Sequence, residues 1–309
     1  MTNAGSDGSR PSKNERRAAA RDKARVLREA QKKRERRNRV LWQAGIGVAI
    51  VAVLAIVAVV IVTSIRPPHA GPANMASDGI LISKGMKAVT TGSLEPNAKP
   101  IANTPDPSGT TVSIVTYVDY LCPFCGQFEK TNAKQIGKLV DSGAATIEIH
   151  PIPLLASHSA GTKYSLRATN AAACVANYDP NAFWDFNSLL FENQPEEGSA
   201  GLSDAQIKSY VKKAGASSYS SIVSCMDDGR YNTWAQDALD RALAGPIANS
   251  NVKKLTGTPL VLVNGQQYNG SLTNPEEFRA FVVQAQSETY STSTPTPTAT
   301  TTPTPTPTS

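Results

Sequence analysis

The sequence predicts an α/β domain in which a helical insertion separates a βαβ half from a ββα half, preceded by one transmembrane helix. Three observations carry this. The β-branched and aromatic run Thr111–Val118 passes through Cys122-Pro123-Phe124-Cys125 into a helix-compatible stretch. Residues from about 158 to 250 show only helical patterns, and strand signals resume at Pro259–Val263. Leu41–Ile65 holds no charged side chain and is dominated by Val, Ala, Ile and Leu.

At 309 residues and 40% hydrophobic content the chain has material for a sizeable core. Its charge is segregated. Residues 1–40 hold fourteen Lys/Arg against five Asp/Glu, so within the total of +6 residues 41–309 carry a net −3. The basic character therefore belongs to an N-terminal arm suited to anionic lipid headgroups, and it does not support a nucleic-acid-binding folded domain. Leu41–Ile65 would make a helix of roughly 37 Å against a hydrocarbon core of about 30 Å. With the basic block just before it, the positive-inside rule predicts a cytoplasmic N-terminus and an extracytoplasmic remainder. Pro68-His69-Ala70-Gly71 offers small residues for cleavage, but the apolar run exceeds the usual ~7–15-residue signal core, which favours an uncleaved signal-anchor.

Residues 66–109 read as a linker in which Ile80-Leu81-Ile82 can add a peripheral strand, and Ala98–Ser108 is a Pro/Asn/Thr-rich loop. The folded domain is expected over 110–288. After the Cys-x-x-Cys, Phe128, Ala133, Ile136 and Leu139 form a helical stripe ended by Gly143. Ala145–His150 alternates as a second strand, which makes a parallel βαβ unit. Helices are expected over Lys163–Tyr178, Ala182–Glu192, from a Ser203/Gln206 capping box to Gly215, and over Asn232–Ala244. Asn264-Gly265 marks a hairpin after Pro259–Val263, and Asn274-Pro275 opens the last helix, with Phe278, Phe281, Val282 and Ala285 inward. Residues 289–309 read as a disordered Pro/Thr-rich tail.

A strand turning into a helix at Cys122 places that sulfur at the helix N-terminus, where free N–H groups and the helix dipole favour a thiolate. Cys122 is the candidate reactive thiol and Cys125 its partner one turn on. An inert buried bridge is one alternative. Half a zinc site is another, but zinc needs two more ligands and His69, His150 and His158 lack finger-like spacing; no metal is expected. All four cysteines follow the apolar span, a sparse even count that fits one active pair and one bridge in an oxidising compartment. Cys174 and Cys225 read as a structural disulfide across the insertion rather than a resolving pair. Closing that loop of roughly 50 residues contributes on the order of 4 kcal/mol.

The order βαβ, helical block, ββα around a Cys-x-x-Cys is that of the thioredoxin-like fold. Val118-Asp119-Tyr120-Leu121-Cys122-Pro123-Phe124-Cys125, Ala171–Cys174 with Phe183-Trp184, and Gly257-Thr258-Pro259 before a Val-Asn-Gly hairpin together resemble the DsbA-like thiol-disulfide oxidoreductases, in particular membrane-anchored extracytoplasmic members of actinobacteria. An X-Pro bond is usually trans. The resemblance implies instead a cis bond at Thr258-Pro259 facing the cysteines, with the Thr258 backbone open to a substrate peptide. Thr258, Pro259, Pro123 and Phe124 are the candidate substrate-binding residues.

Two departures from related proteins stand out. No histidine lies between the cysteines, and the buried acid often found six residues before the reactive cysteine is here Thr116. Asp119 is nearer, but a solvated or capping role fits it equally well. The resemblance implies disulfide transfer to exported protein thiols without metal or organic cofactor, and reoxidation by a membrane partner resembling vitamin K epoxide reductase. A reductase or isomerase on the same cysteines, or a non-catalytic cell-envelope peptide-binding module, are the alternative readings.

Overall fold

The computed structural model describes residues 70–293 continuously, together with scattered helical residues between positions 21 and 55. The chain divides into two units, Met1–Pro67 and Pro68–Ser309. Most of the expected span 41–65 lies outside the described residues, as do residues 1–20 and the tail beyond 293. Among the described residues no helix is long and apolar enough to cross a membrane.

The second unit is built on a sheet of strands β1 (Ile80–Ser83), β2 (Lys87–Ala88), β3 (Val112–Val118), β4 (Ala145–Pro151), β5 (Leu260–Val263) and β6 (Gln266–Gln267), in the order β2-β1-β4-β3-β5-β6. β3 and β4 are parallel, with Val112 opposite Ala145 and Val118 opposite Pro151; the other pairings are antiparallel. The parallel pair follows from the crossover helix α1 (Pro123–Ser142), which Gly143 ends in a left-handed conformation at φ 85°. Strand alternation divides β3 between two cores. Val112, Ile114 and Val118 join the larger one, while Val115 and Tyr117 face a smaller one with Leu260 and Leu262.

The insertion comprises α2 (Tyr164–Tyr178), α3 (Phe183–Glu192), α4 (Asp204–Lys213), α5 (Tyr219–Asp227) and α6 (Asn232–Ala244). α4 opens with a complete capping box: the Ser203 hydroxyl accepts from the Gln206 N–H while the Gln206 side chain accepts from the Ser203 N–H. α6 packs Leu239 and Ala242 into the smaller core. The last helix, α7 (Pro275–Ser293), starts with Asn274 accepting from the Glu276 N–H and buries Phe278, Val282 and Ala285.

Three expectations are corrected. From residue 70 on, the segment read as a linker is part of the fold: Met75, Ile80, Ile82 and Leu94 are buried, and β1 lies inside the sheet beside β4. Its alternating isoleucines supply the inward face, and the Arg241 guanidinium holds Asp78 through two hydrogen bonds of 2.7 and 2.8 Å. On α1 Phe128 and Ile136 are buried as expected, but the positions that complete the buried stripe are Asn132 and Val140, whereas Ala133 and Leu139 are half-buried. α7 continues to Ser293, past the expected domain end at 288.

Candidate active site

β3 ends in a turn that carries its own polar core. Burial removes Asp119 from water, and its carboxylate accepts three hydrogen bonds of 2.7 Å, from the Leu121 N–H, the Leu155 N–H and the Ser165 hydroxyl. The Asp119 carbonyl in turn accepts from the Cys122 N–H at 3.0 Å. One side chain thus ties the turn before the cysteines to the loop after β4 and to α2. Desolvation raises the Asp119 pKa, and the three donors oppose it. The solvated alternative for Asp119 is thereby overturned, since a turn buried between α2 and the β4 loop needs an internal acceptor for its N–H groups.

Cys122 is the N-cap residue of α1 and Pro123 the first helical residue, where its missing N–H costs nothing. Cys122 and Cys125 are free thiols. Cys122 retains 4% exposure and Cys125 none, while Pro123 and Phe124 are exposed beside them. The Cys122 pKa is lowered from 9.0 to about 6. The Cys125 side chain contributes most to this, followed by the Thr258 side chain and the backbone N–H groups of Cys125 and Phe124, against a desolvation penalty. Burial and the adjacent Cys122 push Cys125 the other way, well above the ordinary thiol range. The pair is therefore asymmetric, with Cys122 the more acidic sulfur and Cys125 the one that holds its proton.

Thr258 lies against this sulfur, with Pro259 next in the chain. Their peptide bond is cis, as is Gly245-Pro246, and the Cys122 thiol donates to the Thr258 carbonyl at 3.2 Å. Cys122, Cys125 and Thr258 are therefore brought together, with Pro123 and Phe124 exposed beside them. Cys174 and Cys225 do not join this group. They form a buried disulfide between α2 and α5.

Sequence reasoning missed one further acid, Glu129, on α1 four residues after Cys125. Its residue is 5% exposed, and burial alone raises its carboxyl to about 7. Its spacing was the available signal: 125, 129, 132, 136 and 140 trace the buried stripe of α1.

The thioredoxin family model matches residues 108–284. Among solved structures, the reduced form of the disulfide bond oxidoreductase DsbG from Mycobacterium tuberculosis superposes with a TM-score of 0.51 at 26% identity, over 70% of this chain and 94% of that one. Reduced DsbA from the same organism gives 0.50 at 26% identity, over 70% of this chain and all of that one. Curated relatives include the serine/threonine-protein kinase PknE of M. tuberculosis, 33% identical over 158 residues, 49% of this chain and 26% of the kinase. The Na(+)/H(+) antiporter NhaA 3 of Salinispora tropica is 28% identical over 183 residues, 58% of this chain and 24% of the antiporter. The chain spans about a quarter of the length of these curated relatives. The match from β3 through the insertion and into α7, with neighbours of the DsbA and DsbG type, shows that the chain belongs to the thioredoxin family as a DsbA-like member.

Proposed function

We propose that this protein is a thiol-disulfide oxidoreductase that introduces disulfides into exported proteins. The asymmetry of the cysteine pair carries the reading: a Cys122 thiol with a pKa of about 6 at a helix N-terminus, above a fully buried Cys125. In the oxidised protein a substrate thiolate attacks the Cys122 sulfur, a substrate–Cys122 bond forms, and Cys125 leaves and takes up a proton. A second substrate thiolate then attacks the substrate sulfur of that mixed disulfide and releases Cys122 as a thiolate. The substrate loses two electrons and two protons; the protein gains the two electrons, Cys125 takes one proton, and the other passes to solvent while Cys122 stays a thiolate.

A low Cys122 pKa favours the oxidising direction, because it stabilises the released thiolate and with it the reduced protein. The exposed Pro123 and Phe124 and the Thr258 backbone would receive the substrate chain as an extended segment. The names of the neighbours, a disulfide bond oxidoreductase and a DsbA, support the reaction class. We further propose that 41–65 anchors the domain on the outer face of the membrane, within reach of a reoxidant resembling vitamin K epoxide reductase. The charge-free run and the basic arm before it support this.

Titration of the Cys122/Cys125 pair against glutathione tests the direction. A potential near about −120 mV supports an oxidase; one near about −270 mV makes the protein a reductant.

A further inference from the structure

Gln194 lies two residues beyond α3, in the insertion, and the Gln194 N–H donates to the Phe191 carbonyl. Its side chain leaves the insertion and reaches the start of α1. Nε2 donates to the Cys122 carbonyl at 2.8 Å and to the Tyr120 carbonyl at 3.3 Å. The Cys122 carbonyl also receives the Gly126 N–H at 3.2 Å, as the first turn of α1 requires. A residue 72 positions away therefore holds the peptide plane of the reactive cysteine itself.

A second observation points to the same contact. A Cβ on Gly126 would sit 2.0 Å from Gln194 Oε1 and 2.9 Å from its Cδ. Gly126 has no left-handed backbone that would call for glycine, and the obstacle is the end of a flexible side chain. The glycine after the second cysteine thus makes room for the glutamine.

We propose that Gln194 is a positioning residue for Cys122, through which the helical insertion controls the acidity and attack rate of the sulfur. The physical route is short. The carbonyl dipole of Cys122 is negative toward its surroundings, and a thiolate on the same residue is stabilised when that oxygen is held and neutralised by N–H donors. Fixing the carbonyls of Tyr120 and Cys122 also fixes the backbone angle that aims Sγ at the N–H groups of Phe124 and Cys125. This rests on the reading of Cys122 as the reactive sulfur.

The experiment compares full-length Gln194→Ala, Gly126→Ala and the double variant with the parent, in the reduced state, by ultraviolet titration of the thiolate and by alkylation rate at pH 6. Each single change should raise the titration midpoint and slow alkylation roughly two- to tenfold, the worth of one hydrogen bond. The double variant should be no worse than either, because both changes remove one contact. Gly126→Ala keeps the test open if Gln194→Ala does not fold, since it only displaces the glutamine. A parent-like midpoint in the folded single variants, with or without a lower melting temperature, overturns the proposal, as does full additivity in the double variant. If instead the parent's Cys122 is alkylated no faster than an ordinary thiol, the functional reading falls and this inference with it.

Discussion

The Cys122 thiol donates to the main-chain carbonyl of Thr258, which stands 136 residues away in the chain. That carbonyl is a partner only while the sulfur is protonated; after ionisation the Cys125 side chain, the Thr258 side chain and the α1 N–H groups remain as the stabilising neighbours. Alkylation of the reduced protein should therefore rise with pH through a midpoint near 6. Thr258→Val, which keeps the carbonyl and removes the hydroxyl, should move the midpoint up by about half a unit to one unit. A midpoint at the ordinary thiol value in the parent would contradict the geometry.

Glu129 predicts a pH dependence of stability. Its carboxyl titrates at about 7 in the folded chain against 4.5 in an open one, so the folded state binds its proton more tightly. This group's penalty is absent below pH 4.5, grows as pH rises to 7, and is complete above that. Glu129→Gln should flatten the dependence and stabilise the protein at pH 8 by up to about 3 kcal/mol. Denaturant unfolding at pH 5 and pH 8 measures both; an unchanged difference between the two pH values would refute it.

Asp119→Ala would leave the N–H groups of Leu121 and Leu155 and the Ser165 hydroxyl without their acceptor. A loss of roughly 3–5 kcal/mol is expected, because the carboxylate they converge on is buried and joins three separate segments. Thermal unfolding in the oxidised form reads it. A change below 1 kcal/mol would mean that water replaces the carboxylate.

Replacing Cys174 and Cys225 together with serine opens a loop that links α2 to α5. The double variant should lose on the order of 4 kcal/mol and keep the Cys122 titration of the parent. A shifted titration would show that the bridge acts on the Cys122/Cys125 pair as well as on the fold.

Much of the domain was legible because its signals are local. β3, the Cys-x-x-Cys turn, the Ser203 capping box and the Asn264-Gly265 hairpin each sit within a few residues, and alternation or helical spacing marks them. α5 was not legible: Tyr219–Asp227 is nine residues long and serine-rich, and it owes its place to Cys225 and Ile222 packing in the core. The standing of β1 was hidden for a similar reason, since pairing with β4 decides whether an isoleucine pair is peripheral or central. At the site the two cysteines announced themselves, whereas the roles of Asp119 and Gln194 depend on donors and acceptors 36 to 74 residues away. Such contacts have no sequence period.

The sheet closes on both sides with a strand of only two residues, Lys87–Ala88 on one edge and Gln266–Gln267 on the other. Long open edges recruit other chains and polymerise with them. A protein proposed to handle chains that are not yet folded would meet such partners constantly. Blunted edges mean that a passing strand finds little backbone to zip onto there, which under the proposed function would leave the Thr258 main chain beside the sulfur as the place to be held. Capture would then be brief and confined to the point of chemistry, and the protein would avoid becoming a seed for aggregation of its own clients.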